Sequence, residues 1–538
     1  MYRGEELWPE AIAEDMVFRE VSDRKAIRTY PDLPPNLYES FLRTAERLPG
    51  KTAVVDHYGR AYTYEDLQKK TEVFSGWLFH TFGVCRGSHV AVMLYNSVEF
   101  CVAFLALNRL GAVMVPLPTK YRPGEVRSLT EKSDVESVIC DEQFKEYMEE
   151  HLPVCVVPAG NRGYGLAEFT VSEPECLPEN PVNMSDPALL VFTSGTTSRS
   201  KGVVIRNYNI MHAIVSYERT LGIRQEDRSI IPIPIYLITG LVAVFGLMMH
   251  VGGTVYLHRF FDAVRVLEDM KKHEITFFHA SPTVFSLLLN HTESFRELPS
   301  LRMFACGSSN MPPGKIKRLK RWLPDCEFRT VYGLTETTSP ATVFPVDAGE
   351  SPFLGASGIP IPGLEFQIVN PDGTEVPDGT LGEILVRGSN ITSSYYKLET
   401  GAIRDEWLCT GDIGYFNEQG YLYIVDRKKD MINRGGEKVC SFDVENELLN
   451  LEGVEEAAVV GIPDELYGEV PAAVVRLKEG SGWSEKRLQE ILKKRIAGYK
   501  VPVRILSVDA IPVTENMKTD KRYIREFLKA DQEGDNKR

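Results

Sequence analysis

Between residues 50 and 260, short apolar runs rich in β-branched residues alternate with amphipathic stretches of helical length, and this order restricts the fold more than any other feature of the chain. His89 to Leu94 is such a run, Glu99 to Leu110 has helical spacing, and Ala112 to Pro116 is apolar again. Strands joined by crossover helices pair in parallel and are covered on both faces, so an α/β architecture follows. Two more strands are expected at Phe277 to His279 and Leu301 to Phe304. From about residue 352 the texture changes to short strands punctuated by Gly and Pro, such as Leu364 to Val369 and Gly382 to Arg387, which predict an antiparallel β-subdomain.

Past Asp426 the pattern predicts a small α+β unit. It has a helix near 443–450, strands near 456–460 and 472–477, and a helix after Ser484. That last helix presents Leu488, Ile491, Leu492 and Ile496 on one face and is closed by Gly498. A chain of 538 residues exceeds what one core supports, so two or more domains are expected. The expected division is a large N-terminal domain over 1–426, made of parallel α/β subdomains plus the β-subdomain, a connector at 427–430, and a small domain over 431–538.

A formal charge of -14 argues against nonspecific binding to nucleic acid or anionic membrane. The nine cysteines stand at least 15 positions apart, which excludes Cys-x-x-Cys metal or redox motifs and suits reduced thiols in a cytoplasm. The first residues lack an apolar signal core. Ser229 to Leu257 holds no charged residue and is long enough to cross a bilayer. Pro232, Pro234 and the Gly252-Gly253 pair break it into strand, helix and strand, which predicts a buried element rather than an integral membrane segment.

The chemistry begins at Val191 to Val203. Thr193, Ser194, Thr196 and Thr197 offer hydroxyl donors, Gly195 and Gly202 allow backbone N–H groups close to an anion, and Lys201 adds a mobile positive charge. This is a candidate phosphate loop. It is not a Walker loop, because the lysine precedes its glycine and Val203 to Ile205 reads as a returning strand.

Downstream, in fixed order, stand Val331 to Thr337 (with Tyr332, Gly333, Thr335 and Glu336), Cys409 to Tyr415 (with Asp412), and Tyr423 to Lys438. Together with the loop they resemble the adenylate-forming superfamily of acyl-CoA synthetases, nonribosomal peptide adenylation domains and firefly luciferase. The resemblance runs from near Tyr62 to Arg525. It implies ATP-dependent activation of a carboxylic acid to an acyl adenylate, then thioester formation with CoA. In that reaction Glu336 binds Mg²⁺, Thr335 touches phosphate, Tyr332 lies along the adenine, Gly307, Ser308 and Ser309 form the adenine turn, and Asp412 with Arg427 takes the ribose hydroxyls. Lys429 would be the pivot of a mobile C-terminal domain. First Lys518 faces ATP; after rotation Gly435, Gly436 and Lys438 face the adenylate and incoming CoA.

The family ending Pro-x-Thr-x-x-Gly-Lys-x-x-Arg is altered. Pro512, Thr514 and Lys518 keep the spacing, but Met517 replaces Gly and Lys521 replaces Arg, so Lys521 competes with Lys518 for the catalytic role. Ser198 and Ser200 likewise stand where Gly and Pro are usual in the loop. By resemblance the acyl pocket draws on Tyr236, Leu237, Gly240 and the apolar residues around them. No acidic side chain there could pair an α-amino group, which disfavours amino acids and favours a fatty or aryl acid. Delivery of the acyl group to a carrier protein in trans, or a noncatalytic nucleotide-binding relative, are the competing readings.

Overall fold

The computed structural model describes residues 1–13, 15–148, 152–158, 165–166, 182–193, 200–309, 311–478, 480–514 and 518–535. Among these, two mixed sheets with parallel centres lie in the first part of the chain. The six-stranded one runs Gly202–Arg206, Pro187–Phe192, Val113–Pro116, His89–Met93, Ser137–Asp141, Val154–Val157. The nine-stranded one has Glu327–Tyr332, Met303–Cys306, Phe277–Ala280, Arg228–Ile231 and Thr254–Leu257 side by side and parallel. Crossover helices such as Val98–Leu110 are buried almost throughout, as strand-to-strand connections between covered faces require.

The expected β-subdomain is a third sheet in which Leu364–Val369, Gly382–Gly388, Trp407–Phe416 and Leu422–Arg427 pair antiparallel in that order. Its alternation is legible in burial: Leu364, Phe366 and Ile368 turn inward while Glu365 and Gln367 are only half-buried. The uncharged stretch forms a strand, one continuous helical segment Ile238 to Val251 with a π-helical stretch at Leu241–Gly246, and a strand. No described helix is long and apolar enough to cross a membrane.

From Ile432 onward the chain folds around its own sheet of five strands, with apolar clusters on both faces. Along Val454–Asp464, Val459 faces the helices Ser441–Leu449 and Glu485–Leu492, while Ala458, Val460 and Ile462 face Ile524 and Leu528 of Lys521–Asp535. One boundary differs from expectation. The helix after Ser484 ends at Leu492 rather than near Gly498, because Lys494 and Arg495 bond back three residues and tighten the chain into turns. Ile496 still packs onto the cluster from that turn, which explains the misleading period.

A single amide ties the first two sheets together. Asn96, just beyond His89–Met93, donates from Nδ2 to the carbonyls of Ile233 at 2.7 Å and His258 at 2.9 Å, and its Oδ1 accepts from Ile235 N–H at 2.7 Å. The stretch that leads to Tyr236 is therefore fixed by a side chain of the neighbouring sheet. Asn96→Ala strands three buried backbone groups and is expected to lower stability by about 2–4 kcal/mol, read as a fall in the unfolding midpoint.

Candidate active site

A cleft of about 1250 Å³ opens between the nine-stranded sheet, the β-subdomain and the residues after Ile432. Ser308, Ser309, Tyr332, Gly333, Asp412 and Arg427 line it from one side. Lys429 lines it at the connector, and Lys518 from the far side. Tyr332 ends the strand Glu327–Tyr332, and Ser308 holds a left-handed φ of 75° in the turn that leaves Met303–Cys306. Both therefore sit at carboxyl ends of neighbouring parallel strands, where open α/β sheets hold ligands.

Asp412 is the buried centre of this arrangement at 4% exposed. Gly411 has φ 73°, a conformation costly for other residues, and its carbonyl accepts the Lys428 N–H at 2.8 Å. The Asp412 Oδ2 accepts from the Tyr332 hydroxyl at 2.7 Å, and Oδ1 lies 3.4 Å from Arg427 Nε, its cross-strand partner. Burial raises the carboxyl's pKa, while Arg427, the Tyr332 hydroxyl, Lys518 and Lys429 act to lower it. Burial and the neighbouring anion push the Tyr332 phenol well above its ordinary value, so it stays a donor.

Lys518 is half-buried in the cleft, and its pKa falls to about 8, mainly through desolvation and then through Arg427; Asp412 and Glu336 oppose the fall. Arg427, Asp412, Glu336 and Lys429 thus all act on one ammonium. Lys521 is placed differently. Its Nζ donates to Ser441 Oγ at 2.6 Å and pairs with Glu445 at 2.8 Å, and Glu445 with Asp426 raises its pKa. Asp426, fully buried, accepts from the backbone N–H of Ser441 at 2.6 Å and of Arg427 at 2.8 Å. Lys521 belongs to this fastening cluster although it also borders the cleft.

The strands Pro187–Phe192 and Gly202–Arg206 form the expected hairpin, closed by the Thr193 N–H on the Lys201 carbonyl at 3.0 Å. Ser194, Gly195, Thr196, Thr197 and Ser198 lie outside the described residues, as does Met517. Lys201 sits 5.1 Å from the centre of the Tyr395 ring, and the Tyr395 hydroxyl donates to Glu336 Oε1 at 3.0 Å. The segment around Tyr395 is stitched to both elements: Tyr396 N–H reaches the Gly202 carbonyl and Thr392 N–H the Glu336 carbonyl, each at 2.8 Å. Tyr395 thereby couples Lys201 to Glu336, a role with no local sequence signature. Thr335 and Glu336 lie in the short helix Thr335–Thr337, and a Cβ on Gly333 would come within 3.0 Å of Thr337 Oγ1.

Other expected site residues are not brought to the cleft. Gly436 and Lys438 lie on the exposed hairpin of Ile432–Arg434 and Glu437–Val439, away from its lining. Tyr236, Leu237 and Gly240 do not line it either. Gly240 is required by packing, since a Cβ there would lie 2.9 Å from Ile235 Cα. Among the described residues no group of three or more His, Cys, Asp or Glu could hold a metal. A single carboxylate such as Glu336 suits a Mg²⁺ that arrives on phosphate oxygens.

Comparison with known proteins gives the same class. A family model described as AMP-binding enzyme matches residues 41–396, and one described as AMP-binding enzyme C-terminal domain matches 443–518. A feruloyl-CoA synthase from Amycolatopsis sp is 31% identical over 493 residues, 90% of this chain and 97% of that protein. A 2-succinylbenzoate–CoA ligase from Bacillus licheniformis is 34% identical over 478 residues, 87% of this chain and 95% of its own length. The structure of o-succinylbenzoate coenzyme A synthetase from Bacillus subtilis in complex with ATP and magnesium ion superimposes with a TM-score of 0.80 at 29% identity, covering 91% of this chain and 99% of that one. ATP-bound MatB from Rhodopseudomonas palustris gives 0.84 at 26% identity, covering 92% and 99%. Motifs, sheet order and these matches agree, and the chain belongs to the AMP-binding enzymes, the adenylate-forming superfamily.

Proposed function

We propose that the chain is an AMP-forming acid–thiol ligase that activates an aryl carboxylic acid with ATP and passes the acyl group to CoA. The observation that carries this reading is the convergence of Asp412, Arg427, Lys429 and Lys518 on one cleft, with Glu336 close enough to act on the Lys518 ammonium. In the first step a carboxylate oxygen of the acid attacks the α-phosphorus, the bond to the bridging oxygen breaks, and pyrophosphate leaves. Anions must approach one another there, so fixed positive groups are worth most where charge builds up. Lys518 spans the carboxylate and the α-phosphate, and Lys201 with the hydroxyl loop neutralises the departing phosphates. Asp412 accepts the ribose hydroxyls on the lone pairs that remain on its two oxygens beside Tyr332 and Arg427. Glu336, whose Oε1 accepts from the Tyr395 hydroxyl, would hold a Mg²⁺ carried by the triphosphate, and the ion would offset the charge of the phosphates.

In the second step the CoA sulfur attacks the acyl carbon and AMP leaves. The chain divides into residues 1–426 and 431–538, with 427–430 as the connector about which the small domain turns, so that Lys518 withdraws and the Gly436 hairpin with Lys438 comes in. The exposure of that hairpin and its distance from the cleft lining support this reading. The aryl preference draws on the relatives named for feruloyl-CoA and 2-succinylbenzoate.

Acid-dependent exchange of pyrophosphate into ATP tests the first step. Lys518→Ala is expected to slow it by about 100- to 1000-fold, the usual loss for one preorganised donor, while thioester formation from supplied acyl adenylate stays within a few fold. Equal loss in both steps would remove Lys518 from the role. The depressed pKa also predicts a pH limb. Lys518 acts as the ammonium, so kcat/KM for ATP in adenylation should fall as pH rises through about 8, and Lys518→Arg, weaker overall, should lose that limb because a guanidinium stays charged.

A further inference from the structure

On the strand Phe277–Ala280, His279 is 1% exposed, and neither Nδ1 nor Nε2 has a hydrogen-bond partner among the described residues. A buried polar side chain left wholly unsatisfied is uncommon and marks a place where a partner is missing. Burial alone drives its pKa down to about 3, with no charged neighbour contributing, so the ring is neutral and carries one N–H and one lone pair.

The surroundings are aromatic. Tyr217, from the helix Asn207–Leu221, presents its ring edge-on at 5.8 Å, and Phe277 lies at 6.3 Å. Gly307 stands in front of Nε2: a Cβ there would lie 3.4 Å from that nitrogen and 3.1 Å from the Val331 carbonyl. Gly307 is not among the positive-φ residues, so its backbone does not demand glycine. A side chain there would press on the Val331 carbonyl and come into contact with the imidazole. Gly307 also begins the turn whose Ser308 and Ser309 line the cleft, and the Tyr217 hydroxyl meets Ser339, three residues past Glu336, at 2.7 Å. His279 therefore stands directly behind the nucleotide turn, between it and Tyr217.

We propose that His279 is the specificity-determining residue for the acyl tail, and that the acid it selects is an aryl carboxylic acid carrying an uncharged ring hydroxyl. The inference rests on the acyl-activating reading above and names its substrate class. A hydroxyl can accept from the imidazole N–H or donate to its lone pair. An alkyl tail leaves both nitrogens unmet, and a second carboxylate finds no cation beside this ring. Aromatic neighbours suit a flat aromatic guest.

The test uses the full-length protein and paired acids that differ only in the ring hydroxyl: 4-hydroxycinnamic against cinnamic acid, and 3-hydroxycinnamic against cinnamic acid, with pyrophosphate release as the readout. For at least one pair the unaltered protein should favour the hydroxylated acid more than tenfold in kcat/KM, since a site built to bond a hydroxyl rejects the analogue without it. His279→Leu should bring that ratio to threefold or less, and His279→Asn, which keeps a donor and an acceptor, should restore part of it. The ratio is taken within each protein, so a general loss of folded enzyme does not imitate the effect. If the leucine variant does not fold, the ratio of the unaltered protein and the asparagine variant decide. No preference in either pair, or a preference that survives in His279→Leu, overturns the assignment while leaving acyl activation intact. Absence of pyrophosphate release with every acid removes the acyl-activating reading and this inference together.

Discussion

Burial raises the pKa of the Asp412 carboxyl, and the cleft is arranged around the groups that counter that rise. The Tyr332 hydroxyl fixes one oxygen and Arg427 faces the other, while Lys429 and Lys518 bring positive charge from the connector and from the small domain. A buried anion of this kind makes its neighbours interdependent. Remove the phenol and the carboxyl loses the contact that orients it; withdraw Lys518 and part of its compensation leaves as well. In the proposed reaction, the grip on the ribose and the position of the residues around Lys518 are thereby coupled through one side chain.

The two lysines near the C-terminus show how context separates residues that a motif leaves equivalent. Lys518 meets Asp412 and Glu336 across the cleft and loses proton affinity to burial. Lys521 meets Glu445, Asp426 and Ser441 and gains it. The first is poised as a donor with a weakly held charge; the second is a fixed cation in a polar cluster. Lys521 stands where the family carries Arg, and both residues supply a permanent positive charge for such a cluster.

Much of the fold was legible because its periods are clean. Leu364 to Val369 alternates in burial as it alternates in hydropathy, and the uncharged stretch broke where Pro234 and Gly252 said it would. The end of the helix after Ser484 was not legible, since Ile496 keeps its apolar contact through a turn instead of a further helical turn. In the site, Asp412, Tyr332 and Arg427 were readable from ordered motifs. Tyr395 was not: its importance comes from a segment that lies against Gly202–Arg206 from almost two hundred residues away, a tertiary fact with no local signature. His279 was hidden for a similar reason, because an apolar strand with one histidine reads as ordinary core until its nitrogens are found unmatched.

The Asp426 cluster has a mechanical meaning for the connector beside it. Its carboxylate has no exposure and draws on the Ser441 N–H and on the field of Lys521, both beyond residues 427–430. Any swivel at 427–430 that carries Ser441 away must strip that carboxylate of the Ser441 N–H and of Lys521 together, leaving it the Arg427 N–H, and admit water to it. Intermediate angles would hold the anion neither docked nor solvated, so they are the least favourable stations on the path. If the residues beyond 430 turn as proposed, they should click between seats like a toggle, with residence times set by how quickly Asp426 is wetted and dried.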